Sequence, residues 1–173
     1  RVRSREAAVW QTLAAKERLC EELDALLRAA GAAAAEAIEA QSAAVQERWT
    51  AMPALPAAWE KKMLARRDAA LVALTNAAAA GKYLARMEQG AAARREGLLA
   101  HQLLMGMDSP PEVQPQRLAL QVKKLKERFS SAASAGTVTA AERLVAWCAQ
   151  AGVADALDRQ RCEKILARVE QAR

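Results

Sequence analysis

Trp49-Thr50-Ala51-Met52-Pro53-Ala54-Leu55-Pro56-Ala57-Ala58-Trp59 interrupts a sequence that is otherwise written for helices. Pro53 and Pro56 lack the amide donor that a helix interior requires, and each ring collides with the turn before it. Leu55 precedes a proline and is biased toward extended backbone. Met52 to Pro56 therefore reads as a tight, rigid connector between two helices. Trp49 and Trp59 flank it, placed to bury large rings at the corner and lock one helix on the next. Trp49, Pro53, Pro56 and Trp59 are thus the structural hinge, and a buried Trp59 implies a cost on the order of 3 kcal/mol for Trp59→Ala.

Outward from the hinge, the composition points the same way. Hydrophobic residues make up 53% of the 173 residues but aromatics only 3%, so the apolar share is largely alanine, a strong helix former and a poor core filler. Seven glycines and five prolines leave few breaks, and no window alternates as a strand does. The expected fold is all-α: antiparallel helical hairpins in an elongated bundle with coiled-coil-like packing. Residues 1–107 read as a long-helix hairpin region containing the hinge at 49–59, and residues 108–173 as a smaller C-terminal helical bundle.

The net charge of +6 is unevenly placed. Residues 1–51 carry seven Arg/Lys against eight Asp/Glu, and residues 52–173 carry nineteen against twelve, so the basic excess follows the hinge. Cys20, Cys148 and Cys162 are odd in number and widely spaced, which suggests core thiols in a reducing cytosol. No uncharged run exceeds 13 residues, so no membrane span is expected.

Val9, Leu13, Lys16, Cys20, Leu23 and Leu27 alternate at spacings of four and three, the seam of a first helix over residues 5–30, with Lys16 as a snorkelling interruption. Gly31 caps it, and a second helix begins at Ala32–Ala35 with Ile38, Ser42, Val45 and Trp49 on one stripe. A third helix starts at Trp59, and its weak points are Gly81 and Gly90, with a break expected near Gly90 if there is one. Asp108-Ser109-Pro110-Pro111 is the second firm stop. Leu118, Val122, Leu125 and Phe129 form a clean apolar stripe on a helix over residues 114–134, and a loop around Gly136 follows. Thr139 and Glu142 form a capping box for a short helix, and Asp155 caps the last one, whose stripe of Asp158, Cys162, Ile165 and Val169 starts on a polar residue.

Catalytic, metal and nucleotide signatures are missing: no Cys-x-x-Cys spacing, no phosphate-binding glycine loop, and one histidine, His101, between leucines. No cofactor is expected. Glu21, Glu22 and Asp24 read as a solvated helix face. Two basic clusters remain, Lys61, Lys62, Arg66 and Arg67 after the hinge and Lys123, Lys124, Lys126 and Arg128 further on, candidates for phosphate or partner contacts. Six aromatics, mostly committed to packing, leave little for stacking on single-stranded bases.

Trp49 followed by Pro53 and Pro56, then Met63 and Arg66, is similar to the repeat of a bacterial helical family known as domain of unknown function 349, although Arg67 stands where that family places a phenylalanine. A second stretch resembles the family's C-terminal signature: Arg94-Arg95, then Leu103-Leu104-Met105-Gly106-Met107-Asp108-Ser109-Pro110-Pro111-Glu112, then Arg117-Leu118, Gln121-Val122 and Leu125. Residues 1–40 match only as generic coiled coil. The resemblance implies the C-terminal part of a larger cytoplasmic protein built from tandem helical repeats, and it implies no activity. The functional expectation is a non-enzymatic scaffold or protein-interaction module. Its partner is another protein or the rest of the parent chain, and the oligomeric state is open. The alternative is a nucleic-acid-associated module that contacts phosphates through the basic clusters.

Overall fold

Seven α-helices are found among the described residues, which in this computed structural model are 2–31, 33–130, 139–152 and 155–171. In chain order they are α1 (Val2–Ala29), α2 (Ala35–Ala51), α3 (Ala57–Thr75), α4 (Ala77–Leu104), α5 (Gln114–Ser130), α6 (Ala140–Cys148) and α7 (Ala156–Gln171), with a short 3-10 turn at Pro111–Val113 before α5. The fold is all-α. The expected loop around Gly136 and the extension of the fifth helix to Ser134 lie outside the described residues.

The hinge stops α2 at Ala51 and starts α3 at Ala57. Its free backbone groups are satisfied locally, with Met52 N–H donating to the Trp49 carbonyl at 3.1 Å and Trp59 N–H to the Pro56 carbonyl at 2.8 Å. Glu60 then reaches back over the corner. Its carboxylate accepts from Leu55 N–H at 2.9 Å, Trp49 Nε1 at 3.2 Å and Lys16 Nζ at 2.7 and 2.9 Å. Trp49 and Leu55 are buried, but Trp59 is only half-buried, its ring 5.3 Å from that of Trp10. Trp59 is therefore a weaker anchor than its place beside the prolines suggests. Lys16 does not snorkel. It is 1% exposed, held by Glu60 and the Pro53 carbonyl, with the Trp49 ring centroid 5.1 Å away.

The long helix after the hinge breaks at neither Gly81 nor Gly90. Asn76, extended at φ −138°, ends α3 and begins α4, and its side chain accepts from Ala79 N–H at 3.0 Å. An asparagine able to cap decides the break, because it replaces the backbone partners that the interruption removes. The glycines, in contrast, are carried inside α4.

α1 is the centre of the molecule, packed by α2, α3 and α7, while α4 lies along α3 and touches α5, α6 and α7. Its buried residues Leu13, Leu19, Cys20, Leu23 and Leu27 join Val45 and Trp49 of α2, Met63, Ala70 and Ala73 of α3, and Tyr83, Met87 and Leu98 of α4. Ala14, Ala70 and Ala73 let helix axes approach closely, which offsets the shortage of large side chains. Leu144, Val145 and Trp147 of α6 and Cys162, Ile165, Leu166 and Val169 of α7 belong to the same core. Helices on both sides of residue 107/108 thus share one core, the last two contributing because their apolar stripes face α1, α3 and α4. At one crossing a glycine is required: Trp147 packs on α4 at Gly97, where a Cβ would come within 2.6 Å of its ring.

Candidate functional site

Two features stand out from this framework: a buried network of charges and an exposed apolar helix. The network begins on α1. Glu17, Glu21 and Asp24 fall on the side of α1 that meets α3 and α4, and they receive Arg66 from α3 and Arg94 from α4. Arg66 donates to Glu17, to Asp24 at 2.8 Å, to Glu21 at 3.1 Å and to the Cys148 carbonyl at 2.6 Å. Arg94 donates to Glu17 at 2.5 Å, to Glu21 at 3.1 Å and to the carbonyls of Trp147 and Gln150 at 2.9 Å each. Its guanidinium also lies 4.6 Å from the Trp147 ring centroid. Asp24 further accepts from Tyr83 Oη at 2.5 Å and from Gly152 N–H at 2.8 Å, which fixes the turn after α6.

Burial dominates the electrostatics. It pushes the Glu17 carboxyl up to about 7 despite the opposing pull of Arg66 and Arg94. Burial, then the neighbouring Asp24, raises the Tyr83 phenol, and burial raises all three thiols, Cys20 to about 12. These cysteines are free and buried. Glu21 Oε2, Arg66 Nε and Arg94 Nε make no hydrogen bond among the described residues.

A second polar chain positions α5. Asp158 of α7 binds Arg95 at 2.6 Å and Arg161 at 3.2 Å, Arg161 donates to Gln102 at 3.1 Å, and Gln102 accepts from Ser109 at 2.9 Å. Arg117 on α5 closes the chain through Ser109 Oγ and the Met107 carbonyl, both at 2.6 Å. Gly106, at φ +63°, provides the left-handed residue that turns the backbone after α4. The polar opening of the last helix's stripe, Asp158, is therefore a buried anchor.

α5 departs furthest from the sequence reading. Its stripe of Leu118, Val122, Leu125 and Phe129 faces solvent, with Phe129 89% and Leu118 62% exposed. The helix instead turns Arg117, Leu120 and Lys124 toward its neighbours. The physical reason is its tether: Arg117 is fixed by Ser109 and Met107, and this sets the rotation of the helix.

The sequence-derived candidates divide accordingly. Arg66 is removed from the phosphate-contact set, since it is buried and fully engaged by acids. Arg67 pairs with Asp68 and lies 5.1 Å from the Trp49 ring centroid, whereas Lys61 and Lys62 are exposed on α3. Lys123 reaches Glu96 at 3.5 Å, and Lys124, Lys126 and Arg128 have no carboxylate within ion-pair distance among the described residues. Glu21 and Asp24 are not a solvated face. Glu22 alone among the three acids is exposed, paired with Arg48. His101 is buried with its ring 5.5 Å from that of Trp147, and burial followed by Arg143 and Lys124 holds its pKa down at about 4.

Glu17, Asp24, Tyr83 and Arg94 were not anticipated as a group. Their signal is periodic: Arg66 falls on the inner stripe Met63-Arg66-Ala70-Ala73 and Arg94 on Met87-Arg94-Leu98, positions where a charge needs an opposite charge on the facing helix. Among the described residues no group of three or more His, Cys, Asp or Glu could hold a metal ion, and no helix is long and apolar enough to cross a membrane. Comparison of the chain with models of protein families, with characterised proteins and with solved structures finds no match.

Proposed function

We propose that this chain is a non-enzymatic helical interaction module whose working surface is α5. The observation that carries this reading is the exposure of Leu118, Val122, Leu125 and Phe129 on one helix face, while the apolar stripes of the other helices are buried. Apolar side chains grouped on a surface mark a place where another molecule packs. The buried network supports the same reading. A carboxyl that titrates near 7 has a value suited to acid–base catalysis, but both oxygens of Glu17 are taken by guanidinium groups and its side chain is fully buried. It serves as a brace for a rigid platform. Buried free thiols fit a reducing compartment, here the cytoplasm.

The test substitutes Leu118, Val122, Leu125 and Phe129 together by serine. Stability is expected to hold, because none of the four is buried, and a defined protein that co-purifies with the parent chain from its native host is expected to be lost. A large fall in melting temperature, or identical co-purifying proteins, overturns the reading. A second reading, contact with nucleic acid, is favoured by Lys124, Lys126 and Arg128, which have no carboxylate within ion-pair distance among the described residues. It requires affinity for duplex or single strands that falls steeply with salt, and binding indifferent to salt rejects it.

A further inference from the structure

We propose that the groove between α5 and the end of α4, closed by Arg143 of α6, docks an acidic amphipathic helix of a partner protein. The proposal rests on the interaction-module reading and specifies the occupant. The groove is shallow and open to solvent, with a volume of about 920 Å³. Leu104 of α4 and Leu118, Val122 and Leu125 of α5 supply its apolar lining, and three basic groups, Lys124, Arg128 and Arg143, outnumber its one acid, Glu127. Leu104 is itself 54% exposed, so the apolar face is shared by two helices and forms a trough.

Charge selects the occupant. Arg18, Arg48, Arg66, Arg67, Arg94, Arg95 and Arg161 each have a carboxylate partner, whereas Lys124, Arg128 and Arg143 have none within ion-pair distance among the described residues. α5 carries five basic side chains against one acidic, a surplus of four. The same field acts on His101, whose protonation is disfavoured first by burial and then by Arg143 and Lys124. A second copy of the chain would bring two such basic helices face to face, and like charges across an interface oppose association. A nucleic acid would pair with the cations but leave the apolar trough uncovered. A flat anionic membrane would meet the crest of α5 and leave the wall formed by Leu104 and Arg143 unused. An amphipathic helix with Asp or Glu beside its apolar stripe satisfies both the trough and the cations.

The dimensions agree. From Leu118 to Phe129 the face spans about three helical turns, roughly 17 Å at 1.5 Å per residue. A partner helix of about that length would present apolar residues at i, i+3 or i+4, and i+7.

The experiment is a displayed library of helical peptides of about 16 residues, with Leu, Met or Phe on one stripe and flanks varied among Asp/Glu, Lys/Arg and Ser, selected on the full chain. Enriched sequences are expected to carry acidic flanks and to bind at least about tenfold more weakly to Val122→Glu and to Arg128→Glu/Arg143→Glu. Leu125→Glu repeats the first test at a second exposed position, and circular dichroism verifies that each variant is folded. No enrichment, or enrichment of neutral or basic flanks, overturns the proposal. So does binding that survives these substitutions. Duplex DNA, phosphatidylglycerol vesicles and sedimentation of the chain alone are measured in parallel. Occupation of the face by any of these in place of the peptides, abolished by Val122→Glu, also overturns it. The two readings fail separately: a native partner lost on serine substitution of α5, with no acidic peptide selected, preserves the interaction module and rejects the acidic helix.

Discussion

Glu17 accepts Arg66 through Oε2 and Arg94 through Oε1, so one carboxylate on α1 ties α3 to α4. Removing one member of a buried ion cluster leaves an uncompensated charge, at a cost of about 3–5 kcal/mol. Arg94→Leu is expected to lose stability in that range by denaturant unfolding. The double variant Glu17→Leu/Arg94→Leu is expected to lose less than the sum of its two singles, because each single change strands the other's charge. Additive losses would show that the two residues do not act through one another.

The pH dependence of stability is expected to carry two opposing contributions. Glu17 rises from an ordinary 4.5 to about 7 on folding, so the folded chain holds the extra proton and stability falls as pH climbs through that window. His101 drops from 6.5 to about 4, so the unfolded chain holds the extra proton and stability rises with pH between those values. Below about 6.5 the two partly cancel, and above it only the decline from Glu17 remains. Glu17→Gln is expected to abolish the decline and His101→Leu to steepen it. Melting temperatures of parent and variants across this range, compared pairwise, check both, and parallel curves would reject the assignment.

At the hinge, Glu60 is the common acceptor of Leu55, Trp49 and Lys16. Glu60→Ala leaves a buried lysine without its carboxylate and is expected to cost about 2–3 kcal/mol. Trp49→Ala is expected to cost about 3–5 kcal/mol. Trp59→Ala is expected to cost clearly less than Trp49→Ala, since Trp59 is half-buried. Reversal of the order of the two tryptophans in chemical unfolding would overturn this account of the corner.

The glycines of α4 separate by their surroundings. A methyl at Gly81 or Gly90 meets nothing within 4 Å, so Gly81→Ala and Gly90→Ala are each expected to gain up to about 1 kcal/mol from helix propensity. Gly97→Ala forces the Trp147 ring to move and is expected to cost about 1–3 kcal/mol. Thermal unfolding of the three variants tests the sign at each position.

Helix class and the Met52–Pro56 corner were legible because proline stereochemistry and alanine propensity act locally. So was the inward stripe of α2, where Val45 and Trp49 are buried. The rest depends on which helix faces which. The charges at 17, 24, 66 and 94 look solvated when each helix is read alone, and only the approach of α1, α3 and α4 buries them together. The stripe of α5 is as periodic as any in the chain, yet it faces outward because Arg117, the residue just before the stripe begins, sets the rotation of the helix through Met107 and Ser109. Periodicity shows that a face is apolar; it does not show whether this chain covers it.

The central place of α1 has a consequence for synthesis on the ribosome. Its contacts are made with partners that emerge progressively later: Lys16 with Glu60, 44 positions on, Glu17 with Arg66 and Arg94, 49 and 77 on, and Arg18 with Glu170, 152 on. The nascent helix must therefore wait, its acids hydrated and ionised, while each later segment takes away part of its water. Because α7 packs on it, α1 can be fully enclosed only when the last of these helices has been made.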